Sequence, residues 1–115
     1  MALKSLLQDL TANLTRSTFV YLDSHAIFED ISQNYKPYGF ENVDSACCGG
    51  PLGRHGGFPF GCGSFGQFCE DRTKYVFWDQ FHPTEAFNLI AAKQMLDGGL
   101  DYVSPMNLRQ LANSH

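Results

Sequence analysis

No run in these 115 residues approaches the roughly 20 consecutive apolar positions of a membrane-spanning helix, so no span is expected. Cationic clusters are missing as well. Eight Lys and Arg stand against twelve Asp and Glu, for a net charge of −4, which makes nucleic acid and anionic membrane surfaces poor partners. The N-terminal stretch Met1–Asp9 has neither a long apolar core nor a small-residue cleavage site, so no signal peptide is expected. Tryptophan is represented once, although ten Phe and five Tyr make the apolar content strongly aromatic. At 43% apolar, the chain has enough to bury a core, and its length fits one small domain over 1–115.

Cysteine is present in a telling way. Cys47, Cys48, Cys62 and Cys69 all fall in one Gly-rich segment. An even, clustered set of this kind implies disulfides and an oxidising compartment. Four cysteines allow three pairings, and adjacent Cys47 and Cys48 are not expected to bond each other. A zinc site is the rival reading, but no C-x2-C unit exists and vicinal thiols fit poorly around one tetrahedral ion. Asn13-Leu14-Thr15 is a glycosylation sequon, meaningful if the chain is secreted and otherwise an ordinary polar helix end.

The hydrophobic pattern predicts alternating elements. Leu3, Leu6, Leu7, Leu10 and Leu14 mark an amphipathic helix over 2–14. Residues 17–22 are nearly continuous in β-formers, the pattern of a parallel strand buried on both faces. Asp23 or Ser24 can cap a helix over about 25–34 that turns Ala26, Ile27, Phe28 and Ile31 inward and ends at Pro37 and Gly39. Residues 41–72 read as one long loop tied down by its cysteines. Lys74–Trp78 is a second short strand, and Pro83 opens a helix to about Leu96, stopped by Asp97-Gly98-Gly99. The tail from 100 shows no clear period. The order implies an α/β layered fold with parallel strands. Two strands leave sheet edges and helix faces uncovered, so self-association through an exposed edge is expected.

At the turn from the second strand, Asp79 and His82 stand three residues apart. A tight turn brings such residues within about 7 Å at Cα. Asp79 can then hold one ring nitrogen of His82 and leave the other for a nucleophile, the relation of a base to its orienting carboxylate. The bland alternative is a plain helix start, with Asp79 capping and His82 packed on Trp78. With Pro83 at the first helical position, His82 becomes the expected N-cap and Glu85 the third residue. A protonated His is disfavoured at a helix N-terminus, and Asp79 would offset that. Gly61-Cys62-Gly63-Ser64-Phe65-Gly66 has the outline of a nucleophile elbow, but Cys62 replaces the first glycine and no strand-turn-helix surrounds it, so Ser64 is not the expected nucleophile. Nor do the cysteines carry a papain-like signature. His25 and His55 lack partner motifs, and His115 is terminal.

Tyr75-Val76-Phe77-Trp78-Asp79-Gln80-Phe81-His82-Pro83-Thr84-Glu85-Ala86 resembles the last block of the plant GDSL esterase/lipase family, a branch of the SGNH hydrolases. Phe19–Asp23, Tyr38-Gly39-Phe40, Ala46-Cys47-Cys48-Gly49-Gly50 and Pro105–Leu111 resemble other family segments in order, and Cys62 and Cys69 sit where the family places further cysteines. The likeness covers nearly the whole chain but only the C-terminal third of the family pattern. It implies a partial three-layer α/β/α, flavodoxin-like fold and hydrolysis of carboxylic ester or lipid substrates by a Ser-His-Asp triad, with His82 as general base and Asp79 as its partner. It also implies a secreted protein of lipid metabolism, without cofactor or metal. The family's Gly-Asp-Ser nucleophile block and its oxyanion donors are not among these residues. The expectation is therefore an ester hydrolase portion inactive as an isolated chain. The alternative is a non-catalytic truncated or diverged fragment acting as a binding module. A small disulfide scaffold without enzyme ancestry fits the helix and strand patterning poorly.

Overall fold

The computed structural model describes residues 2–49, 62 and 67–114. They fall into two compact units, one made of Met1–Ile27 with Ala92–His115 and one of Phe28–Ala91.

The first unit opens with α1, Ala2–Asn13. Its end is written in side chains that turn back on the backbone: Thr11 Oγ1 donates to Leu7 O and Asn13 Nδ2 to Asp9 O, the local competition by which Thr and Asn weaken helix continuation. Tyr21–Leu22 forms β1, which pairs antiparallel with Val103–Ser104, the last strand, β6. This corrects the reading of 17–22 as a parallel strand. The β-forming run supplies a pleated surface, but direction is decided by the partner that pairs with it, and the partner here runs the other way. Asp23 closes the strand and caps α2, Ser24–Gln33: its carboxylate accepts from Ala26 N at 2.9 Å and its N–H donates to Tyr102 O at 2.7 Å. Ile27 and Val103 are fully buried. The tail is more ordered than its pattern suggests. The last helix, α4 at Leu108–Ala112, starts in a reciprocal capping box between Asn107 and Gln110, and Arg109 forks onto the Asp97 carboxylate.

In the second unit α2 ends after Gln33, and the chain reverses through Gly39, whose φ of +91° is the left-handed conformation that favours glycine. Asn42–Ala46, β2, then pairs in parallel with Tyr75–Phe77, β5, in the register Asn42↔Tyr75 and Ala46↔Phe77. The expected loop of 41–72 therefore contains a strand. Asn, Asp and Ser are poor strand formers, and Asn42 Oδ1 accepts from Ser45 N at 2.9 Å, a local turn that accounts for the irregular register between the two paired ends. Cys48–Gly49, β3, pairs antiparallel with Gln67–Phe68, β4. A short 3-10 helix, Arg72–Lys74, leads into β5. The core is built on Ile31, Phe40, Val76, Phe87 and Ala91, and the half-buried Phe28 packs its ring against Phe77 and Phe87 at 5.8 and 5.9 Å. The parallel β2–β5 pair with its helices is the partial α/β architecture expected. Among the described residues no helix is long and apolar enough to cross a membrane.

Candidate functional site

β5 delivers the chain to a loop whose two ends are hooked to the strand. Trp78 N and Asp79 N both donate to His82 O, at 2.9 and 3.3 Å, and Thr84 N returns to Val76 O at 2.8 Å. Phe77 and Pro83 face each other across the closure as an isolated bridge. Thr84 fixes the far end twice: its hydroxyl donates to Tyr75 O at 2.7 Å and accepts from Phe87 N at 3.2 Å.

That second bond is the cap of the third helix, α3, which runs Glu85–Asp97. Thr84 is thus the residue at the helix start, and the placing of the N-cap at His82 is corrected. The reason is physical: a buried hydroxyl beside both strand carbonyl and helix N–H satisfies two backbone groups at once, whereas His82 is engaged one step earlier in closing the loop. A preference for Ser and Thr at N-caps was the available signal for Thr84, and Pro83 immediately before it obscured that signal.

Within the loop Asp79 gathers the donors. One carboxylate oxygen accepts from Phe81 N and His82 N, each at 2.8 Å, an Asx-type turn. His82 Nδ1 lies 2.8 and 2.9 Å from the two oxygens. An ionised carboxylate only accepts, so Nδ1 carries the proton and Nε2 is left as the basic nitrogen. The Asp79 side chain is 15% exposed and that of His82 70%. Partial burial is the largest single influence on the Asp79 carboxyl and pushes its pKa up. The bonds from Phe81 N, the His82 ring and His82 N, with the charge of His82, together outweigh it and hold the pKa below its ordinary 3.8. Asp79 is anionic at neutral pH.

The neighbouring residue supports the loop from the other side. Trp78 stacks on Phe68, with centroids 5.5 Å apart and planes 19° from parallel, and carries the Arg72 guanidinium 5.6 Å from its ring centre. Cys47 N donates to Phe77 O at 2.9 Å and Cys48 N to Trp78 O at 2.6 Å. The cysteines pair as Cys47–Cys69 and Cys48–Cys62. All four sulfurs are oxidised, so the zinc alternative has no thiolate donors, and no cluster of three or more potential metal ligands occurs among the described residues. Ser64, His55 and His115 lie outside the described residues. His25 is exposed in the first turn of α2, and Asn13 is exposed at the end of α1.

Residues 2–95 match the family described as GDSL-like Lipase/Acylhydrolase. Three GDSL esterase/lipases of Arabidopsis thaliana are similar to the chain: one is 48% identical over 98% of this chain and 30% of its own length, a second 43% identical over 95% and 28%, and a third 42% identical over 96% and 30%. The chain thus spans less than a third of the length of these curated relatives.

Proposed function

The chain belongs to the GDSL-like lipase/acylhydrolase family, and from that premise we propose that it is the C-terminal, base-bearing portion of a carboxylic-ester hydrolase. The observation that carries this reading is the geometry of His82: Nδ1 is held by both oxygens of an anionic Asp79 while the ring stays 70% exposed. A base needs that combination of a fixed tautomer and an accessible second nitrogen.

The chemistry needs a serine from family residues that this chain does not contain. Its hydroxyl oxygen attacks the ester carbonyl carbon as His82 Nε2 takes the hydroxyl proton. The tetrahedral intermediate collapses, the bond to the alcohol oxygen breaks, and the alcohol leaves with the proton from His82. Water then attacks the acyl-serine by the same route, the acid departs, and the serine recovers its proton. Asp79 remains ionised and stabilises each imidazolium that forms. Base and carboxylate alone supply little, because the activity left when a triad member is lost comes from the oxyanion hole and binding. Treating the 115-residue chain with a serine-directed fluorophosphonate is expected to give no stoichiometric label, and full labelling would show that a nucleophile resides here after all.

The same reading makes the protein extracellular and its substrate an ester or lipid. Two disulfides in a small domain suit an oxidising compartment, and Asn13 lies exposed in a glycosylation sequon at the end of α1. A non-catalytic interaction module is the second reading, favoured by the exposed Leu3 and Leu6 on α1.

A further inference from the structure

We infer that the Cys47–Cys69 disulfide positions His82, acting through Phe68 and Trp78. Its catalytic meaning rests on the proposed role of His82, but the positioning is a property of the loop itself. Trp78 is the junction. Its N–H holds the His82 carbonyl at 2.9 Å, its own carbonyl accepts Cys48 N–H at 2.6 Å, and its ring is stacked by Phe68.

Phe68 has little else to keep it there. Phe68 is 63% exposed, so burial does not hold it, and β4 is a two-residue strand paired to a two-residue partner, too short a ladder to be stable alone. What fixes it is its neighbour. Cys69 donates its N–H to Cys47 O at 2.7 Å and is bonded through sulfur to Cys47, whose own N–H grips Phe77 O at 2.9 Å. The disulfide thus clamps the segment carrying Phe68 onto the end of β5. Phe68 seats Trp78, and Trp78 anchors the backbone of His82.

Amide exchange in the 115-residue chain tests this without any reading of activity. Phe68→Leu keeps the disulfide and removes the ring stack. It is expected to speed exchange of the Trp78 and His82 amides about tenfold and to weaken the Nδ1–H signal of His82 in nitrogen NMR. The amides of Asp23 and Val103, in the other unit, are expected to stay protected. Phe68→Tyr restores the loop, and Cys47→Ala with Cys69→Ala, which leaves the Cys48–Cys62 bridge in place, reproduces the local loss. Unchanged exchange at Trp78 and His82 in either experiment would overturn the inference, as would equal acceleration at Asp23 and Val103. A failure here leaves His82 open as the base, and a failure of the base assignment leaves the clamp intact.

Discussion

Asp79 carries more of the candidate site than its partner does, since its carboxylate fixes both the loop backbone and the imidazole. Its pKa is depressed in the folded chain, so the folded state binds this proton less readily than the unfolded one. The stability it contributes is present above the ordinary 3.8 and is lost as pH falls through the lower folded value. The melting temperature of the wild type is expected to drop across that acid range more steeply than that of Asp79→Asn, measured by thermal unfolding at a series of pH values. Parallel curves would remove Asp79 from the balance. Thr84 is the other residue on which the loop depends. It is 2% exposed, and its hydroxyl satisfies a strand carbonyl and a helix N–H. Thr84→Ala leaves both without that partner and should cost about 1–2 kcal/mol in denaturant unfolding. Thr84→Ser, which keeps the hydroxyl, should recover most of it.

Among the elements, the longer helices were the readable ones, and the five-residue α4 was not. Regular leucine spacing placed α1 within a residue of its observed end, and Asp23 announced α2 through its capping carboxylate. Strands were harder, because pairing partners lie far away in sequence. Nothing local in Asn42–Ala46 marks a strand, and the run ending in Tyr21-Leu22 could not reveal that β6 meets it antiparallel. The Asp79–His82 pair was readable because both members sit in one turn. The contributions of Phe68 and Arg72 to Trp78 were not, since they cross from other segments. At the end of α3 the expected glycine stop is sharper than propensity requires. A Cβ on Gly98 would come within 2.2 Å of the Gln94 carbonyl oxygen, and backbone cannot step aside cheaply. Gly98→Ala should destabilise by more than about 1 kcal/mol, whereas Gly99→Ala, with open space around its Cβ position, should be tolerated. Chemical denaturation of the two variants separates them.

For the molecule as a whole, the chain carries the proposed base, His82, and exposes apolar surface on α1. Leu3, Leu6 and Leu14 are about half exposed, the kind of face that a larger domain or a second copy would cover. Sedimentation of the 115-residue chain is expected to show concentration-dependent association that Leu3→Lys with Leu6→Lys suppresses. A monomer at all concentrations would mean that the face is simply solvated. The most direct measurement of the central claim is the ester-hydrolysis rate of a chimera in which these 115 residues replace the matching segment of one of the Arabidopsis GDSL esterase/lipases, compared with its His82→Ala variant. With His82 as the base, the variant loses about 10²–10⁴-fold in kcat. Hydrolysis by the variant as fast as by the parent chimera would show that His82 is not the base.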